Sequence, residues 1–67
     1  MINVEFVFRG RVHRAIVDGY EARSLDGKYK VIYSSTVISA MKAGSVDGMG
    51  VEDNRRLERT AGPFSRF

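Results

Sequence analysis

Three points in the first half of the chain allow the backbone to reverse, at Gly10, Asp18-Gly19 and Asp26-Gly27, and the residues between them alternate in polarity. Ile2, Val4, Phe6 and Phe8 are apolar, whereas Asn3, Glu5 and Arg9 are polar and Val7 breaks the rule. A period of two sends these sets to opposite faces of a strand. Glycine supplies the positive φ of a tight turn, and Asp-Gly is a favoured pair in two-residue hairpin loops. The pattern predicts four antiparallel strands over 2–9, 11–17, 20–25 and 28–34.

Two-residue loops fix the register, so the prediction can be made pair by pair. A loop at Gly10-Arg11 sets Phe8 opposite His13, Phe6 opposite Ala15 and Val4 opposite Val17. A loop at Asp18-Gly19 sets Val17 opposite Tyr20, Ala15 opposite Ala22 and His13 opposite Ser24. A loop at Asp26-Gly27 sets Ser24 opposite Tyr29, Ala22 opposite Val31 and Tyr20 opposite Tyr33. Residues opposite one another share a face. One side thus gathers Val4, Phe6, Phe8, Ala15, Val17, Ala22, Val31, Tyr20, Tyr29 and Tyr33. A slip of one residue would scatter that set. The aromatics read as core more readily than as a base-stacking platform, with Tyr29 and Tyr33 expected to stay accessible.

Such an oily face needs a cover. Ser34, Ser35 and Thr36 offer N-cap hydroxyls, Val37, Ala40 and Met41 fall at helical spacing, and Gly44 is a terminator, so a helix is expected over 36–43. A helix this short is marginal alone and must pack. The trough at Ala15 and Ala22 is its expected seat, receiving Val37, Met41 and Ile38. After a loop around Asp47-Gly48, a second helix is expected over 52–60, acidic at its start and arginine-rich later, stopped by Gly62-Pro63. It is polar nearly all round, which suggests a loosely attached arm or a partner-binding element, with Phe64 and Phe67 anchoring the tail. The expected fold class is α+β, a small antiparallel β-meander on a short helix. The whole of 1–67 is one small domain, divided into a 1–44 sheet-plus-helix core and a 45–67 loop, polar helix and arm.

With 67 residues, folding buries only about 60% of the unfolded chain's surface, so a partner or second copy would help. The apolar share of 43% is enough for a packed core. Absence of cysteine excludes disulfides, thiolate chemistry and cysteine-based zinc sites. No apolar run approaches a membrane span and the start does not read as a signal peptide, so the expected location is the cytoplasm. A net charge of +3 permits an anionic partner without demanding one.

The second face of the sheet carries the functional expectations. The register sets Arg14 opposite Arg23 and Arg23 opposite Lys30, with Arg9 and Lys28 further along. Such a row repels itself and would be offset by bound phosphates. The same face carries Val7, Val12, Ile16, Leu25 and Ile32, with Val12 opposite Leu25, more aliphatic surface than water favours. The tail, a second copy or another protein could cover it.

Catalytic chemistry has little to work with. His13 is the only histidine and is read as a partly buried edge residue facing Phe8 and Ser24, with no carboxylate opposite. Asp47, Glu52 and Asp53 fit no calcium-loop spacing, and Gly48-Met49-Gly50 lacks the strand and Lys-Ser/Thr of a phosphate loop. The expectation is a non-enzymatic module with no cofactor, no metal and no evident small-molecule substrate. The favoured function is binding a protein partner or forming a homodimer through Val12, Ile16, Leu25 and Ile32, as an accessory inhibitor, adaptor or assembly subunit of phage or plasmid type. The alternative is nucleic-acid binding through Arg9, Arg14, Arg23, Lys28 and Lys30.

Overall fold

The computed structural model describes residues 1–65. Four strands, β1 (Ile2–Phe8), β2 (Arg11–Asp18), β3 (Glu21–Arg23) and β4 (Lys30–Ile32), form one antiparallel meander in the order β1-β2-β3-β4. Two helices follow, α1 (Ser35–Ala43) and α2 (Val51–Thr60), then a 3-10 turn at Gly62–Phe64. The fold is small α+β, as the alternation and the hydroxyl-capped apolar run imply. The expected docking of Phe67 lies outside the described residues.

The first two hairpins are each displaced by two residues from the expected register. The first turns at Arg9-Gly10, with Phe8 opposite Arg11 and Phe6 opposite His13. Both loop residues have positive φ, 51° for Arg9 and 76° for Gly10, so the glycine takes the second loop position preferred in a type I′ turn. The second turns at Gly19-Tyr20, with Asp18 opposite Glu21 and Val17 opposite Ala22. Gly19 alone has positive φ there, as a type II′ loop requires of its first residue. The third register is as expected: Ala22 faces Val31, and Ser24 N–H donates to the Tyr29 carbonyl at 2.9 Å. Displacement by two leaves every side chain on its own face, so hydrophobic alternation has no power to detect it.

The core lies between one sheet face and the helical half. Val4, Phe6, Phe8, Ala15, Val17, Ala22 and Val31 are buried on the sheet, against Val37, Ile38 and Met41 of α1. Ser34 caps α1 through its side chain, and Gly44 closes it in a left-handed conformation with its N–H on Ala40 and Met41 carbonyls. The expected second helix is not a loose arm, because Leu57, Ala61 and Phe64 are buried in the same core and Val46 joins them. Its polar surface also makes side contacts: Glu58 pairs with Arg9, and the Arg56 guanidinium lies over the Tyr33 ring at 5.8 Å.

Three residues depart from their expected places. Tyr33 is buried, its hydroxyl bonded to that of Thr60, because α2 closes over it. Tyr20 is exposed, because the displaced register puts it in a loop instead of on a strand. His13 lies on an interior strand and is only 3% exposed, stacked on Phe6 with ring centroids 5.2 Å apart.

Candidate interaction surface on the open sheet face

Among the described residues, the helices and Phe64 pack on one side of the sheet. The tail, one of the possible covers for the second face, buries Phe64 in the core, where it meets Tyr29 edge-on at 6.1 Å, and then bridges β2 antiparallel through Ser65 and His13. The second face is therefore left open among the described residues. Reading across it along the register, Asn3 and Ile16 lead to Arg23 and Lys30, Glu5 leads to Arg14, and Val7 leads to Val12. Asp18, Glu21 and Ile32 form the row at the Gly19 end.

The continuous basic row expected here is broken by the displaced register. Arg14 faces Glu5, with Nε to Oε2 at 3.4 Å, and lies only diagonal to Arg23. Arg23 faces Ile16 on one side and Lys30 on the other, and its guanidinium is held by Glu21 at 2.9 Å and Asp18 at 3.8 Å. Arg9 has left the sheet face for the turn, where it pairs with Glu58. Of the five cations expected to meet phosphate, Lys28 and Lys30 form no ion pair among the described residues. On the strands themselves Arg14, Arg23 and Lys30 are matched by Glu5, Asp18 and Glu21, so the face is close to neutral.

The aliphatic set fares differently. Val12 and Ile32 are exposed on this face, at 38% and 67%, and Ile16 is half-buried between them. Leu25 is exposed too, at 57%, but it sits in the β3–β4 turn and is not opposite Val12, which faces Val7 instead. Val12, Ile16 and Ile32 thus share one open side, strung from the Val7–Val12 corner to β4, whereas Leu25 lines a cleft at its margin with Arg14, Pro63 and Phe64.

The β3–β4 turn is stiffened by Asp26. Its Oδ1 accepts from Ser24 Oγ at 2.6 Å and from Lys28 N–H at 3.0 Å, while Gly27 takes the positive φ of 75°. The Ser24 hydroxyl bond first, then the Lys28 amide, hold the Asp26 carboxyl below its ordinary value. This turn positions Leu25, Lys28 and Tyr29 at the margin of the sheet, a role the Asp-Gly signal announced.

Hydrolytic or metal chemistry finds no assembled site among the described residues. His13 Nδ1 is bonded to the Ala61 carbonyl at 3.0 Å, with Ser65 Oγ at 3.2 Å, and no carboxylate of the described residues bonds to the ring. No group of three potential metal ligands comes together among the described residues, and no helix is long and apolar enough to cross a membrane. No protein-family model, curated protein or solved structure matches the chain, so its function has to be read from this surface.

Proposed function

We propose that the chain is a small non-catalytic interaction module that binds another protein, or a second copy of itself, through the open sheet face. The observation that carries this reading is the pairing of exposed aliphatic side chains with cancelled charge. Val12, Ile16 and Ile32 lie among Glu5–Arg14 and Glu21–Arg23–Asp18 pairs on a face that nothing else in the described chain covers. Protein interfaces combine an apolar centre with a polar, charge-matched rim, whereas nucleic-acid surfaces keep their cations unspent. Arginines already bonded to carboxylates would have to break those pairs to meet phosphate, which lowers the gain from each contact.

Size-exclusion chromatography with light scattering, paired with a fluorescent-oligonucleotide titration at two salt concentrations, tests the reading. A dimer indifferent to oligonucleotide, dissociated by Val12→Asp or Leu25→Asp with the circular dichroism unchanged, is the expected outcome. A monomer that binds oligonucleotide at low salt with steep salt dependence, losing about one unit of slope for each of Arg14→Gln and Arg23→Gln, overturns it.

A further inference from the structure

The two edges of the sheet are treated differently. On the outer side of β1 the chain covers itself at the Phe8 end: Val7 N–H donates to the Gly44 carbonyl at 2.9 Å, and Val46 N–H donates to the Val7 carbonyl at 3.0 Å. On the outer side of β4 no described residue does the same. The bonds from Ser24 N–H to the Tyr29 carbonyl and from Tyr33 N–H to the Tyr20 carbonyl turn Tyr29, Val31 and Tyr33 toward β3. Alternation then points the N–H and C=O of Lys30 and Ile32 outward. They form a short ladder with donors and acceptors ready for another strand.

The side chains along that ladder say what kind of strand fits. Lys28 and Lys30 form no ion pair among the described residues, so both ammonium groups face an incoming strand along this edge, with Asp26 as the carboxylate near Lys28. Ile32 stands beside them at 67% exposure, and Tyr20, Leu25 and Tyr29 are exposed around the same hairpin. Pairing β4 with its own copy would gather the lysines of both chains along one seam, and like charges oppose that. An incoming strand with carboxylates and β-branched residues meets opposite charge at Lys30 and apolar surface at Ile32.

From this, resting on the protein-binding reading above, we infer that the β4 edge is a strand-addition site for an extended acidic segment of a partner protein. The partner strand exchanges backbone hydrogen bonds with Lys30 and Ile32, sets a carboxylate beside Lys30 and an aliphatic side chain beside Ile32, and continues the sheet. Main-chain bonds supply affinity and the Lys30–Ile32 pair supplies selectivity.

The test is fluorescence anisotropy of full-length protein with the labelled peptide Glu-Thr-Val-Thr-Glu-Thr-Val, its Lys-for-Glu counterpart, and a version N-methylated on alternate amides. Only the first is expected to bind, with amide shifts at Lys30 and Ile32. Lys30→Glu is expected to weaken it about tenfold and to admit the lysine peptide. Ile32→Pro removes an outward N–H without touching the ladder to β3, as edge prolines do, and is expected to weaken binding by a similar factor. Urea unfolding of both variants verifies that they fold, and Lys30→Gln, a smaller change, is expected to give an intermediate loss. Equal binding of the acidic and lysine peptides, absence of acidic-peptide binding up to about millimolar concentration, or binding untouched by Lys30→Glu and Ile32→Pro in folded protein overturns the inference. Those results leave the face reading to its own test, because Val12 lies on β2 and its self-association readout does not involve this edge.

Discussion

His13 joins the tail to the sheet. The Ala61 carbonyl can only accept, so the ring proton sits on Nδ1, and Ser65 Oγ lies near enough to share it. Nε2 is left buried without a partner among the described residues, a tolerable state for a lone pair and a costly one for an N–H. Replacement of His13 by Ala removes both ring packing and the carbonyl's donor, and is expected to cost about 2–4 kcal/mol in urea unfolding. His13→Phe keeps a ring against Phe6 and isolates the hydrogen bond, with an expected cost of about 1–2 kcal/mol. Equal losses from the two variants would contradict this division. Tyr33 gives a pH signature. Burial raises its pKa above the ordinary tyrosine value, against smaller opposing effects of the Thr60 bond and the Arg56 charge. A raised folded pKa means that the contribution is complete below the unfolded value and is lost as pH climbs through the folded one. The urea midpoint should therefore fall above about pH 10, and Tyr33→Phe should flatten that decline. Asp26 works in the opposite direction: its lowered pKa gives a contribution present above the ordinary aspartate range and lost as pH falls through the folded value. Asp26→Asn should reduce the acid-side slope.

The two helices differ in how much of themselves they commit. Three of the apolar residues of α1 are buried, and it is closed at both ends by Ser34 and Gly44. Gly44 has φ of 102° and open space where a Cβ would stand, so Gly44→Ala carries conformational strain without a clash, about 1 kcal/mol in thermal or urea unfolding. Ser34→Ala removes the acceptor for Val37 N–H and is expected to cost a similar amount. In α2 one residue, Leu57, is buried, and it is fully so. A helix tied down by Leu57, Ala61 and Phe64 should behave as core: Leu57→Ala is expected to cost about 2–5 kcal/mol. A cost under about 1 kcal/mol would be that of an exposed arm.

For the molecule as a whole, both halves of the chain are needed to enclose the core. Val46, Leu57, Ala61 and Phe64 come from the second half, and the His13–Ala61 and Tyr33–Thr60 bonds join it to the sheet. A fragment ending at Gly44 is expected to lose cooperative unfolding, since it exposes Phe6, Val37 and Met41 at once. Differential scanning calorimetry of the fragment checks this. Acids and bases balance in number on the open sheet face, where carboxylates hold Arg14 and Arg23 while Lys30, at the β4 edge, forms no ion pair among the described residues.

Strand number, the approximate places of the reversals, face assignment and both helices were legible in the sequence, because period-two alternation, glycine placement and capping are local or nearly local effects. Burial of Phe6, Ala15, Ala22 and Val31 follows from that alternation alone. Which pairs stand opposite one another did not, since a two-residue displacement preserves every face and only the choice between Arg9-Gly10 and Gly10-Arg11, or Asp18-Gly19 and Gly19-Tyr20, separates the alternatives. That choice decided the surface: Arg14 met Glu5 instead of Arg23, and an expected anion track became a charge-matched face. The tail's course was equally out of reach, because Leu57, Ala61 and Phe64 are sparse apolar anchors in a polar stretch and their partners are distant in sequence. Local chemistry set which side of each strand is oily; only assembly of the whole chain determined which charges are neutralised and where the chain covers its own sheet edge.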